Sequence, residues 1–202
     1  MNLANKLTVF RILLVPAVMV FIYNPFGGFG FESPEWLDWS KIIAALLFFI
    51  AALTDWLDGA VARKYNLVTN FGKLMDPLAD KFLVVGALIA ITASESFADM
   101  RFLVVWVTAC VFFRELAVTS VRLVAADSEN NVIAASFIGK VKTAAQCICI
   151  MTILLESITV ARLFNTPANL FSYITMAVML AATVYSGVDY VKSYWKYIDP
   201  SK

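Results

Sequence analysis

Histidine is absent from this sequence of 202 residues, and only 15% of the residues are charged. The first absence excludes Ser-His-Asp triads, phosphohistidine intermediates and imidazole metal sites, because each needs the imidazole ring. The low charge, together with a hydrophobic content of 61%, is outside the range of soluble domains and predicts an integral membrane protein. A net charge of +1, without a basic and aromatic surface pattern, argues against nucleic acid as a partner.

Cysteine is also scarce, with three residues at Cys110, Cys147 and Cys149. All three lie inside apolar runs, and a Cys-x-Cys pair on a helix points its two sulfurs to different sides. We interpret them as small core or lipid-facing side chains rather than as a redox or metal site. We expect the first apolar run to stay as a membrane span, since no small-residue cleavage site follows it. The chain is then one membrane domain, residues 1–202.

Six apolar runs divide the chain, and five of them are too short to cross a bilayer alone, because a span needs about 20 residues. The runs cover residues 12–23, 42–54, 82–94, 102–113, 143–155 and 168–188. Each short run must extend into a neighbouring stretch that carries charge, namely 6–11, 55–63, 73–81, 114–122 and 139–142. We therefore expect an all-α fold of six transmembrane helices whose charges face the inside of the bundle.

The distribution of lysine and arginine predicts the orientation of these spans. With the N-terminus in the cytoplasm, all of the 16 basic residues fall on the cytoplasmic side except Lys41, Arg101 and Arg162. This asymmetry follows the positive-inside rule. The charged extensions then lie at the cytoplasmic ends of their helices, so we expect one polar cavity that opens to the cytoplasm.

Three connecting segments complete the predicted topology. Residues 24–40 form an outer loop, in which Trp36 and Trp39 anchor the chain at the interface. Residues 123–138 form a polar cytoplasmic loop, and residues 190–197 form a tail at the inner interface. We see no function in the outer loop; we interpret the polar cluster at residues 127–131 of the cytoplasmic loop as a solvated turn, and the alternative is a flap over the site.

Four aspartates stand at the ends of two apolar runs. Asp55 and Asp58 are three residues apart and share one face of a helix. Pro77 disfavours helix at the residue before it, so we expect Asp76 to cap the third helix, with Pro77 in its first position. Asp80 then lies one turn along that helix. A short loop, residues 64–71, would bring the four carboxylates together.

Four carboxylates at close range in a low-dielectric site would repel one another, and some would take up protons. Divalent cations remove that repulsion, and oxygen-only ligands suit Mg²⁺ or Mn²⁺. Two such ions about 3.5–4 Å apart would stabilise the attacking and leaving oxygens of a phosphoryl transfer. The aspartates therefore predict a site for two metal ions.

Small residues accompany the aspartates. Gly59 and Ala62 leave the helix backbone open to a ligand, and Gly72 would let the loop turn sharply into the third helix. The alternatives are that Gly59 and Ala62 permit close helix packing, and that Asp58 forms an internal ion pair with Arg63.

The full pattern, Asp-x2-Asp-Gly-x2-Ala-Arg-x8-Gly-x3-Asp-x3-Asp over residues 55–80, resembles the signature of the CDP-alcohol phosphotransferases. That resemblance implies a fold of six transmembrane helices, usually a homodimer, and an enzyme that joins a CDP-linked group to an alcohol with loss of CMP. It implies that the metal ions are held by Asp55, Asp58, Asp76 and Asp80, and that Asp80 is also the general base. The pocket for the cytidine diphosphate group would include Asp55, Asp58, Gly59, Ala62, Arg63 and Gly72.

Three further strings, at residues 70–81, 114–122 and 139–143, resemble the bacterial branch of that family whose acceptor is glycerol 3-phosphate. This likeness implies CDP-diacylglycerol and sn-glycerol 3-phosphate as substrates. It also implies a bacterial cytoplasmic membrane, with membrane lipid around the protein and the active site facing the cytoplasm.

A phosphorylated acceptor needs a cationic receptor, and the candidates are Arg114, Arg122, Lys140 and Lys142. Lys140 and Lys142 cannot both point inward on a regular helix, and we favour Lys140. The alternative for the lysines and Arg122 is anchoring to anionic headgroups. The alternative for Arg114 is an internal ion pair with Glu115.

The first helix offers one further cation. Asn5, Thr8 and Arg11 recur every three residues, so Arg11 could reach the diphosphate of the donor. The alternative is a plain interfacial helix start.

Other functions are compatible with the same residues. The acceptor could be phosphatidylglycerol, serine or inositol phosphate with unchanged chemistry. An ion or proton transporter could use the aspartates as a relay, but they gather at one membrane face rather than at the midplane.

Overall fold

A computed structural model of the chain describes residues 3–24, 33–65, 70–128, 137–159 and 169–198. Side chains are described for residues 6–24, 33–54, 75, 78–79, 81–121, 138–159 and 169–195. Six long α-helices occupy these ranges: α1 Leu3–Tyr23, α2 Pro34–Tyr65, α3 Asn70–Ala93, α4 Arg101–Ser128, α5 Phe137–Leu155 and α6 Leu170–Ile198. A short 3₁₀ helix, Glu95–Met100, joins α3 to α4. These ranges contain no β-strand, and the predicted all-α fold is confirmed.

The apolar runs continue without a break into the charged stretches beside them. Each of the first five helices contains its short apolar core and the charged extension predicted for it. Five apolar stretches are long enough to cross a membrane: Lys6–Tyr23, Pro34–Thr54, Glu95–Val121, Ile138–Leu155 and Leu170–Trp195. In α3 the apolar part is shorter, Lys81–Ala93. The protein is therefore a multi-pass membrane protein, and α3 as its sixth span remains a prediction.

The start of α3 differs from the prediction. The helix begins at Asn70, so Asp76 is not its N-cap and Pro77 lies within it. A proline inside a helix costs about 3 kcal/mol, because the backbone N–H is lost and the ring meets the carbonyl four residues before. The packing of α3 against α1 and α4 offsets this local cost, and the apolar pattern overrides the residue-level preference.

The predicted connections are too long, because the helices extend into them. α2 already begins at Pro34, so Trp36 and Trp39 lie in its first turns, and Trp36 Nε1 donates a hydrogen bond to Asn24 Oδ1 at 3.0 Å. α4 continues to Ser128 and α5 begins at Phe137, so the cytoplasmic loop is also shorter. The predicted interfacial tail is the end of α6.

The helices pack in two groups. α1 lies against α2 and α3, whereas α6 lies against α4 and α5. At the crossing of α1 and α3, a methyl group on Gly86 would stand 3.1 Å from both Val15 Cγ1 and Met19 Sδ. The small residue lets the two backbones approach closely, as in other membrane helix pairs.

A buried carboxylate joins α5 to α6 at the end of α5. Glu156 is 1% exposed. It accepts hydrogen bonds from the backbone nitrogens of Phe171 at 2.8 Å and Ser172 at 2.7 Å, and from Ser172 Oγ at 2.5 Å. The carboxylate thereby satisfies N–H groups in the first turn of α6, where a negative charge is stabilised by the helix dipole.

Candidate active site

The aspartates lie on two helices that contact each other. The backbones of Asp55 and Asp58 belong to the last turns of α2, and those of Asp76 and Asp80 belong to the first turns of α3. Spacings of three and four residues place each pair on one helix face. The aspartate side chains lie outside the described residues, so their convergence remains a prediction.

The small residues of the signature are also placed by the backbone alone. Gly59, Ala62 and Arg63 belong to α2, and their predicted roles in the pocket lie outside the described side chains. Gly72 is the third residue of α3, so it does not supply the sharp turn that we predicted ahead of that helix.

The donor set of the signature is made of carboxylates, which are the ligands preferred by Mg²⁺ and Mn²⁺. The side chains that the structure describes include no cluster of three or more His, Cys, Asp or Glu residues suited to a metal ion. A metal site at Asp55, Asp58, Asp76 and Asp80 therefore remains a prediction, based on their chemistry and helix spacing.

A buried ionic cluster joins α4 to α5. Lys142 Nζ donates to Glu115 Oε1 at 2.5 Å, and Arg114 Nη1 donates to the same oxygen at 3.2 Å. The side chains of Lys142, Arg114 and Glu115 are 6%, 11% and 12% exposed. We call these three residues the Glu115 cluster. Two cations from different helices therefore meet at one carboxylate.

The arginine of this cluster also reaches α6. Arg114 Nη2 donates to Ser186 Oγ at 2.5 Å. The next residue is Gly187, where a Cβ would stand 3.4 Å from Arg114 Cγ. This distance is ordinary van der Waals contact, so the stem of Arg114 packs beside α6 at position 187. The Glu115 cluster thus ties three helices together.

Among the side chains that the structure describes, no further carboxylate balances the charge of the Glu115 cluster. Two cations share one carboxylate, which leaves one net positive charge in a buried position, where charges need partners. Two buried donors, Arg114 Nε and Gln146 Nε2, have no hydrogen-bond partner among the residues described. Gln146 lies one turn from Lys142 on the buried face of α5. An anion with several oxygens would match this arrangement.

The structure corrects one choice among the predicted cations. Lys142 is buried and Lys140 is exposed, so the preference for Lys140 was wrong. The two positions differ by about 200° around the helix, and the packing of α5 turns position 142 inward. Arg114 forms the ion pair with Glu115 that stood as its alternative. The side chain of Arg122 lies outside the described residues, although its backbone belongs to α4.

The predicted cation of the first helix lies in the interior. Arg11 is 0% exposed, and Thr8, one turn before it, is 1% exposed. Val15 and Val18 continue the same buried face into the core. Arg11 is therefore not an interfacial residue. Its contact with the diphosphate of the donor stays a prediction.

Sequence reasoning missed a polar connection between α3 and α4. Lys81 Nζ donates a hydrogen bond to Thr119 Oγ1, and Thr119 Oγ1 donates to the backbone oxygen of Glu115 at 2.7 Å. Both residues stand in strings that we compared with the family, but neither was singled out. The spacing of four between Glu115 and Thr119, which places both on one face of α4, is the signal that could have identified part of this connection.

An apolar groove of about 690 Å³ runs between α4 and α6 on the outside of the Glu115 cluster. Phe113, Val184 and Val188 line its walls, and Arg114 and Lys192 are the charged residues in it. Cys110 also lines this groove, and Cys110, Cys147 and Cys149 are free thiols. Most of the side chains that line the groove are apolar, which suits hydrocarbon chains.

Comparison with known proteins places the chain among lipid-synthesising enzymes. Residues 1–187 match the family model described as CDP-alcohol phosphatidyltransferase. A Bacillus subtilis protein named CDP-diacylglycerol–glycerol-3-phosphate 3-phosphatidyltransferase is 39% identical over 201 residues, which are 99% of this chain and 98% of the relative. An Escherichia coli protein of the same name is 36% identical over 157 residues, or 76% of each chain. A Mycobacterium tuberculosis protein named probable phosphatidylglycerophosphate synthase is 37% identical over 190 residues, covering 94% of this chain and 80% of the relative.

Proposed function

This chain belongs to the CDP-alcohol phosphatidyltransferase family, and we propose that it transfers the phosphatidyl group of CDP-diacylglycerol to sn-glycerol 3-phosphate. The products are phosphatidylglycerophosphate and CMP. The names of relatives that align over most of this chain support both substrates. The acceptor, glycerol 3-phosphate, carries its own phosphate group, which the protein must recognise.

The observation that carries this proposal is the surplus positive charge of the Glu115 cluster. Lys142 is buried, the side chain of Arg114 is only 11% exposed, and the two cations share one carboxylate, so a phosphate group would supply the missing negative charge. Charge-assisted hydrogen bonds to such a group are about twice as strong as neutral ones. Serine, an acceptor without a phosphate, would leave this charge unmatched.

We assign the donor, CDP-diacylglycerol, to the half of the site that α2 and α3 form. Asp55, Asp58, Asp76 and Asp80 would hold two Mg²⁺ or Mn²⁺ ions, which supply Lewis acidity and neutralise charge on the transferring phosphoryl group when bound. Gly59, Ala62, Arg63 and Gly72 would line the pocket for the cytidine diphosphate. The buried guanidinium of Arg11 is suited to the diphosphate oxygens.

The reaction is one displacement at phosphorus. The primary hydroxyl of glycerol 3-phosphate forms a new P–O bond with the phosphorus next to diacylglycerol, and the P–O bond to CMP breaks. Asp80 accepts the hydroxyl proton as general base. A single step needs no covalent enzyme intermediate, which agrees with the lack of histidine.

Location and assembly follow from the same assignment. We place the protein in the bacterial cytoplasmic membrane with its site facing the cytoplasm, as the positive-inside distribution predicts. We expect a homodimer, in line with the family. The acyl chains of the donor would extend between helices into membrane lipid.

The purified protein tests the acceptor directly. CMP release is measured with CDP-diacylglycerol and Mg²⁺ against glycerol 3-phosphate, phosphatidylglycerol, serine and inositol phosphate, and lipid products are identified by mass. We expect release with glycerol 3-phosphate alone, and loss of release on chelation. Release with another acceptor would reassign the cationic half of the site, whereas no release with any acceptor would contradict the proposed reaction.

Two lysines on α5 give a matched pair for the acceptor half. Lys142→Met removes the buried cation, and we expect kcat/KM for glycerol 3-phosphate to fall about 10²-fold, the value of one strong charge-assisted bond. The loss should appear mainly as a higher acceptor KM. Lys140→Met removes an exposed cation two residues away and should leave both constants near the wild type. Equal losses in the two variants would contradict the assignment of Lys142.

A further inference from the structure

The two halves of the proposed site lie on different helices, and a lysine spans the gap between those helices. Lys81 directly follows Asp80 on α3. Its ammonium group donates a hydrogen bond to the hydroxyl of Thr119 on α4. This hydrogen bond holds position 81 of α3 beside position 119 of α4, the helix that carries Arg114.

Thr119 connects this contact to the Glu115 cluster. Its hydroxyl accepts from Lys81 and donates to the backbone oxygen of Glu115 at 2.7 Å. Glu115 in turn accepts from Lys142 and Arg114. Two hydrogen bonds therefore connect the residue after Asp80 to the backbone of Glu115, and the side chain of Glu115 holds the two cations.

We propose that Lys81, acting through Thr119, is a positioning residue that sets the distance between the aspartates of α3 and the Glu115 cluster of α4. This inference rests on the proposed function, because it assumes that the acceptor phosphate binds the cluster and that its hydroxyl reacts beside Asp80. The acceptor is a small molecule, so its hydroxyl reaches the reacting phosphorus only when the two helices keep one register.

The physical basis is the steep dependence of rate on alignment. A misplacement of about 1 Å can cost about 10² in rate. α3 packs against α4, and a hydrogen bond adds a directional restraint to that packing because it weakens steeply when its angle departs from linear. The lysine stem can lie along apolar surface while its ammonium group reaches the hydroxyl.

The test separates alignment from binding. We expect Lys81→Met and Thr119→Val each to lower kcat about 10²-fold, with the KM for glycerol 3-phosphate nearly unchanged because the Glu115 cluster is intact. The conservative variants Lys81→Arg and Thr119→Ser retain a donor and a hydroxyl, and each should restore most of the lost kcat. A role limited to stability would lower the melting temperature without this split between kcat and KM.

Thr108 provides a matched control on the same helix. Its hydroxyl also donates to a backbone oxygen four residues before, that of Val104, at 2.7 Å. Thr108→Val should leave kcat at the wild-type value. In the double variant Lys81→Met with Thr119→Val, we expect a loss in kcat smaller than the product of the two single losses, because both residues share the contact between Lys81 and Thr119.

Two results would overturn the inference. One is a kcat for Thr119→Val equal to that of Thr108→Val. The other is a rise in acceptor KM in Lys81→Met together with losses that multiply in the double variant, since Lys81 would then bind substrate by itself. Failure of the proposed function is distinguishable, because it would appear in the wild-type protein as use of a different acceptor or as no CMP release.

Discussion

Two buried glutamates mark the two ends of α5, and their partners differ in charge. Glu156 follows the last residue of the helix and accepts three hydrogen bonds, from two backbone nitrogens and one hydroxyl. Glu115 meets α5 near its start, through Lys142, and accepts from two cations. The fourteen residues from Lys142 to Glu156 correspond to roughly 21 Å along the helix.

The difference indicates two roles. Glu156 holds α5 to α6, and we call this the fastening end of α5. The Glu115 cluster is suited to bind an anion, and we call this the receptor end. The partners of Glu156 are neutral groups in the first turn of α6, so the carboxylate is fully used in holding α5 to α6. The partners of Glu115 carry more positive charge than one carboxylate balances, so this end of the helix retains attraction for an anion. Burial alone does not distinguish the two sites, whereas the sum of their charges does.

The largest expected effect comes from neutralising the carboxylate at the receptor end. Glu115→Gln leaves Arg114 and Lys142 buried without a counter-charge, and breaking a buried ion pair in this way costs about 3–5 kcal/mol. We expect a lower melting temperature in detergent together with a higher KM for glycerol 3-phosphate, because repulsion displaces the two cations.

A different outcome of that experiment would break the comparison. If Glu115→Gln kept its melting temperature and bound the acceptor more tightly, Glu115 would compete with the phosphate for the cations instead of holding them in place. The carboxylate of Glu115 would then hinder binding of the acceptor phosphate instead of positioning the two cations for it.

The fastening end should respond with stability alone. Glu156→Gln keeps one acceptor oxygen but turns an amide donor toward the N–H groups of α6, and we expect a loss of about 2 kcal/mol in the free energy of unfolding. The acceptor KM should stay at the wild-type value. The control is Glu95→Gln, since Glu95 is 86% exposed in its pair with Arg101 and should show no measurable loss. A raised acceptor KM in Glu156→Gln would contradict a purely structural role.

Much of the fold could be predicted from the sequence, because membrane helices depend on local composition. The six apolar runs and their charged extensions correspond to continuous helices. The errors lie at the ends, where Pro77 suggested a helix start seven residues after the actual one at Asn70. A local preference of one residue is weaker than the packing of a whole helix face, and the sequence does not display that packing.

The candidate site was less predictable, because its geometry depends on contacts between distant residues. The sequence offered Arg114 and Lys142 as cations, but the meeting of both at Glu115 joins positions that are 27 residues apart. The choice between Lys140 and Lys142 required the rotation of α5 about its axis, which tertiary packing sets. The aspartate signature was recognisable because its fixed spacing lies on two consecutive helices.

The smallest expected effect tests whether α6 contributes to acceptor binding at the receptor end of α5. Ser186→Ala removes the hydroxyl that accepts from Arg114 Nη2 at 2.5 Å, while the bond from Arg114 Nη1 to Glu115 remains. We expect a loss of about 1 kcal/mol in the free energy of unfolding and a small rise in acceptor KM at unchanged kcat. Ser193→Ala is the control on the same helix, because the exposed Ser193 hydroxyl donates only to the local Asp189 oxygen at 2.8 Å. If Ser186→Ala raised the acceptor KM as strongly as Lys142→Met, the acceptor site would be formed by α6 as well as by α4 and α5. An effect equal to that of Ser193→Ala would instead confine the receptor to α4 and α5.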